Sequence, residues 1–173
     1  AAWESIPSEI RNAIDDVAGD RIVAATNLVG GFSPGPAARC LLADGRSVFV
    51  KAAGLDLNPM TPSIHRREAA VLDQLPRGVP APRMLGVVDD GDWVAIVTEW
   101  VEGRTPVSPV GADEVARVLR LVDRLAEMRV TGHEFAPVMD VHPDLGGHWK
   151  RLMDEPIDGF DEWSIEHLEQ LVD

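Results

Sequence analysis

NLVGGFSPGPAARCLLADGRSVFVK, residues 27–51, sets a turn of glycine, serine and proline between apolar runs and ends on a lysine. The runs IVAATNLV, ARCLLADG and RSVFVKA are short and rich in Val, Leu and Phe, the composition of strands bounded by turns. Asp44-Gly45, between Leu42 and Val48, is a hairpin signal: a tight primed turn needs positive φ, which Gly and Asp tolerate. Three antiparallel strands are therefore expected. Upstream, SEIRNAIDDVA (8–18) spaces Ile10, Ile14 and Val17 as one face of an amphipathic helix behind Pro7 and Ser8. Downstream, TPSIHRREAAVLDQL (61–75) predicts a helix with Thr61 as N-cap and Pro62 in its first turn. Its apolar stripe reads Ile64, Val71, Leu72 and Leu75, with Glu68 on the same stripe.

Two more strands, RMLGVVDD and DWVAIVTEW, follow around an Asp89–Asp92 turn. TEWVEGRTPVSPVG then links to a part with helical period only, from Asp113 to Val130 and again in SIEHLEQLV. The order of elements predicts an α+β fold, a five-stranded antiparallel sheet with one inserted helix, followed by a helical part.

The chain has 173 residues with 45% apolar and 26% charged residues, which fits a globular protein. A formal charge of −13 argues against nucleic acid as a partner, because phosphate backbones are met by clustered Lys and Arg. The same acidity could steer a cationic small molecule or simply keep the chain in solution. No run is apolar enough for a membrane span, AAWESIPSEI has no signal-peptide pattern, and the single cysteine, Cys40, fits a reducing compartment. A cytoplasmic location is expected. Of the 16 basic residues only Lys51 and Lys150 are lysines. Lys51, at the end of an apolar strand, therefore stands out.

Three features could carry chemistry. A glycine-rich hairpin over Gly30–Gly35 can lay backbone N–H groups over phosphate oxygens, though the Walker pattern is absent. Glu68, a carboxylate on an apolar helix face, needs a cation or hydrogen-bond donors, and the helix carrying it directly follows the strand that carries Lys51. TEWVEG (98–103) can offer backbone groups to a base in a cleft. A Lys–Glu pair beneath a glycine-rich hairpin is how protein-kinase-like enzymes hold ATP phosphates.

GGFSPG, VFVK, RREAAVLDQLP, VPAPRMLG and TEWVEG together resemble the N-terminal part of the aminoglycoside phosphotransferase family. These are small-molecule kinases with a protein-kinase-like two-lobed fold. The resemblance covers roughly residues 22–130. It implies a nucleotide-binding N-lobe over 1–101, and over 102–173 the hinge exit and first helices of an incomplete, truncated C-lobe. It also implies ATP and Mg2+ as cofactors and a small-molecule hydroxyl as acceptor, an aminoglycoside-type antibiotic or another alcohol such as a macrolide, choline or homoserine.

By position, Gly30, Gly31, Ser33 and Gly35 would cover the nucleotide, Lys51 would bind its phosphates and Glu68 would anchor Lys51. Glu99 and Val101 would meet adenine through their backbone, with Thr98 behind it and Phe49 stacked on the ring; the alternative for Phe49 is plain core. Trp100 is expected to pack nearby without a polar role.

The family's catalytic motif is imitated only by VHPDLGGHWK. His142 and Asp144 match its start and Asp158 its metal-binding Asp, but Trp149 stands where an Asn belongs. Asp144 is accordingly read as a decoy, the Mg2+ ligands are expected in a missing C-lobe, and the 173-residue chain alone is expected to be inactive. The alternative is a non-catalytic kinase-like module that binds a nucleotide or a partner.

Overall fold

The structure, a computed structural model, describes residues 1–30, 34–104, 110–128, 147–155, 159, 162–167 and 169–170. The chain divides into two compact units, Ala1–Thr131 and Gly132–Asp173. In the first, helix α1 (Ser8–Ala18) precedes strands β1 (Ile22–Asn27), β2 (Ala37–Leu42) and β3 (Ser47–Gly54). Helix α2 (Thr61–Gln74), strands β4 (Met84–Asp89) and β5 (Trp93–Glu99) and helix α3 (Ala112–Glu127) follow. In the second unit, α4 spans Gly147–Asp154 and α5 Glu162–Glu166, where the Trp163 and His167 rings stack at 4.4 Å.

The five strands form one sheet in the order β1-β2-β3-β5-β4, with every pairing antiparallel. The five-stranded antiparallel sheet with one helix inserted between β3 and β4 is the arrangement that the sequence led us to expect. Both edge strands carry a register shift, between Ile22 and Ala24 in β1 and between Met84 and Gly86 in β4.

Alternation along the strands gives the sheet two different faces. Val48, Val50 and Ala52 of β3, Ala95 and Val97 of β5, and Cys40 of β2 join Ile10, Ile14 and Ala18 of α1 in the hydrophobic core. Ile14 is 0% exposed, so α1 buries the stripe its spacing predicts, with Ala18 buried and Val17 only partly so. The opposite face carries Lys51 and Phe49, and α2 packs over it.

The β2–β3 turn differs from the primed turn expected. Only Gly45 has positive φ (+88°), Leu42 C=O accepts from the Gly45 N–H at 3.0 Å, and the Leu42 N–H donates to Arg46 C=O at 2.8 Å. The loop is thus three residues, Ala43-Asp44-Gly45, in which a single left-handed glycine restores the pairing.

The start of α2 also differs. Thr61 lies within the helix, and the carboxamide Oδ1 of Asn58 accepts from the backbone N–H groups of Met60 and Thr61 at 2.9 and 3.1 Å. Asn58 thus takes the capping part assigned to Thr61, since its oxygen reaches the free donors from outside the helix. The buried side of α2 is Thr61, Pro62, His65 and Ala69, whereas Ile64 is 54% exposed and Val71 37%. A helix laid over a face that carries a lysine approaches it with small and polar side chains, and Ile64 and Val71 fall on its outer side. The stripe read from periodicity is corrected accordingly.

Helix α3 has acidic Asp113 and Glu114 in its first turn and Arg124 in its last, each matched to the helix dipole. None of its residues is buried, and Val118, Leu119 and Val122 lie exposed.

Candidate functional site

The register assembles the site in rows across one sheet face. Thr26, Arg39, Phe49, Thr98 and Met84 are successive cross-strand partners from β1 to β4, and Ala37, Lys51, Ile96 and Val87 form another such row. Directly opposed residues in antiparallel strands point to the same side. Phe49 therefore lies beside Thr98, with Lys51 two residues along β3. Lys51 and Phe49 are half-buried, and Thr98 is 6% exposed.

Lys51 Nζ forms an ion pair with Glu68 Oε2, as the sequence predicts, and both side chains are about one-third exposed or less (27% and 36%). Glu68 reaches Lys51 from the flank of the buried His65–Ala69 side of α2. The helix is pinned at this height from its other flank. The Arg66 guanidinium donates to both carboxylate oxygens of Asp89 at 2.7 Å and to Gly91 C=O at 2.9 Å. Through those bonds Asp89 is held below the usual carboxylate range and Arg66 above its ordinary value. The sequence reading missed this clamp, whose partners come from separate elements.

Of the turn before β2, Gly30 has φ +111° and is exposed, a conformation that favours glycine. A Cβ on Gly35 would stand 2.0 Å from Ala52 O, so only glycine lets the chain pass beside β3 next to Lys51. That approach is sealed by a hydrogen bond from the Ala52 N–H to Pro36 C=O at 2.9 Å. Gly31 and Ser33 lie outside the described residues, as do His142, Asp144 and Asp158.

At the end of β5 the Thr98 hydroxyl donates to Glu99 C=O at 3.1 Å, and the Glu99 N–H donates to Arg83 C=O at 2.9 Å. The Glu99 carboxylate accepts from the Arg83 backbone N–H at 3.0 Å, and Val101 is 57% exposed. Trp100, expected to lack a polar role, has one: its indole N–H donates to Glu102 Oε1 at 2.8 Å. The Arg39 guanidinium lies over the Trp100 ring at 4.7 Å and pairs with Glu102 at 3.2 Å. The only sequence signal for this cluster is strand alternation, which puts Arg39 on the Phe49 side. A cavity of about 560 Å³ beyond the C-terminal end of α2, lined by Leu72, Leu75, Val79, Arg83, Met84 and Glu99 among others, adjoins the same segment.

Solved structures similar to this chain include the following three. A provisionally assigned fructosamine-3-kinase from Thermobifida fusca YX-ER1 is 22% identical with a TM-score of 0.49, the match covering 96% of this chain and 61% of that one. A second provisionally assigned fructosamine-3-kinase, from Haemophilus somnus 129PT, is 18% identical with a TM-score of 0.43, covering 57% and 32%. Spectinomycin phosphotransferase APH(9)-Ia, solved with ADP and spectinomycin, is 11% identical with a TM-score of 0.47, covering 96% and 53%. At these values the likeness assigns no activity to this chain, which spans less than two-thirds of each of those proteins. No protein-family model matches the chain, and no curated protein matches it. Among the described residues, no helix is long and apolar enough to cross a membrane.

Proposed function

We propose that residues 1–101 are the nucleotide-binding lobe of an ATP-dependent phosphotransferase acting on a hydroxyl of a small molecule, and that 102–173 begin its helical lobe. The observation that carries this reading is the Lys51–Glu68 ion pair, on the sheet face that also carries Phe49 and Thr98. A lysine held by a carboxylate from the next element keeps its ammonium at one place, where it neutralises phosphate oxygens as a point charge. Gly35 lets the turn before β2 run close beside the backbone of the strand that carries Lys51. Phe49 offers a ring face to a purine, and the segment from Glu99 to Val101 offers backbone groups to its edge.

Transfer in such a site is positioning plus electrostatic stabilisation of the moving phosphoryl group. Lys51 and Glu68 supply the phosphate-holding part of it. Among the described residues no group of three or more His, Cys, Asp or Glu could hold a metal ion, and the carboxylate of Glu68 is already engaged by Lys51. The part assigned to this chain is binding and orienting the nucleotide. The acidic surface suits a cationic acceptor.

Calorimetric titration of the chain with MgATP tests the reading. Binding is expected, and Lys51→Met is expected to weaken it at least about tenfold, the loss of one charge-assisted contact. Equal affinity in the variant, or no binding by the unaltered chain, overturns it.

A further inference from the structure

Among the described residues, one buried side-chain nitrogen or oxygen lacks a hydrogen-bond partner: Nδ1 of His65. His65 is 2% exposed and stands three positions before Glu68 on α2, so the two are neighbours on the helix surface. Such an unpaired atom is costly, and its presence beside an ion pair calls for a physical reason.

The charged groups that reach the ring are Lys51 from β3 and Glu68 from its own helix, and the Val94 backbone of β5 faces it. The side chains of β5 from Trp93 to Thr98 are uncharged, and on β4 Asp89 is taken by Arg66. Burial, and after it the charge of Lys51, hold the ring below the ordinary histidine range, with Glu68 pulling the other way.

We propose that His65 is the positioning residue of the Lys51–Glu68 pair, its uncharged ring leaving Glu68 to Lys51 alone. A proton on His65 would set a second cation beside Lys51, divide Glu68 between the two and loosen the ammonium from its place. As a statement about phosphate holding, this rests on the nucleotide reading above. The coupling of the three side chains does not.

The first experiment needs no nucleotide. The His65 ring is titrated by NMR in the unaltered chain, in Lys51→Met and in Glu68→Gln. Removing the lysine is expected to move its titration upward and removing the carboxylate to move it downward, each by on the order of one pH unit. Either variant suffices if the other does not fold, which the amide spectrum shows. A titration indifferent to the substitution in a folded variant overturns the inference.

The second experiment measures MgATP affinity against pH in the unaltered chain and in His65→Gln, so that protonation of the nucleotide itself is common to both. Affinity is expected to fall as His65 takes up its proton, and His65→Gln to remove that part of the fall. Identical profiles overturn the positioning role. If the couplings hold but MgATP affinity ignores Lys51→Met, the nucleotide reading fails and the coupling stands.

Discussion

The two faces of the sheet come from the same alternating strands and are closed in opposite ways. Against α1, Val48, Val50, Ala95 and Val97 meet Ile10 and Ile14, apolar on apolar. Against α2, Lys51 meets Glu68 and His65 lies buried with an unpaired nitrogen. On the first face, any close-packed arrangement of the right volume would satisfy the physics. On the second, two charges must meet at one place, so the helix is fixed by polar bonds outside that pair, Asn58 at its start and Arg66–Asp89 on its other flank. The difference separates the surface that stabilises the fold from the one proposed to hold the nucleotide.

The sharpest way to break that division is Ile14→Ala on the α1 face. It should cost about 2–5 kcal/mol, the range for emptying a fully buried aliphatic site, read as a lower urea midpoint at unchanged slope. A loss below about 1 kcal/mol would mean that α1 does not close the core. Next comes Lys51→Met on the α2 face. A partly exposed ion pair contributes about 0–1 kcal/mol to stability, so the midpoint should barely move while MgATP affinity drops at least about tenfold. If stability and affinity fell together, the two faces would not be separable.

A smaller effect is read from pH. The folded pKa of His65 lies below its unfolded value, so the unfolded chain binds more protons. Stability then declines as pH falls below about 6.5 and on through the folded titration, and is fully present above it. Urea midpoints at pH 7.5 and 5.5 should differ in that direction, and less so in His65→Gln. The smallest effect is none at all: Cys40 is 0% exposed and burial pushes its thiol up to about 12. Iodoacetamide should leave it unmodified until the chain unfolds, and rapid labelling of the native protein would show the α1 face to be open.

What the sequence disclosed follows the range of the interaction. Ile10 and Ile14 announce α1 because the helical period is local, and Asp44-Gly45 announces a hairpin because positive φ at Gly45 belongs to the turn itself. The Lys51–Glu68 pair was legible because adjacent elements carry it and an acid on a helix stripe needs a partner. The buried side of α2 was not legible. Ile64 and Val71 have the right spacing, but the surface they would face is set by β3 and β5, which periodicity within the helix does not report. The Arg39–Trp100–Glu102 cluster failed to show for the same reason, since its members meet only once β2 lies beside β3 and β3 beside β5.

The register shifts in β1 and β4 have a consequence for the chain in a crowded cell. A sheet ends in two rows of unused backbone groups, and a straight rim invites a strand from another copy to dock and start a cross-chain ribbon. Here both rims are broken by an irregularity that bends the strand and spoils a continuous match. Straightening either rim, by deleting one residue at Val23 or at Leu85, would turn a boundary into a template for aggregation.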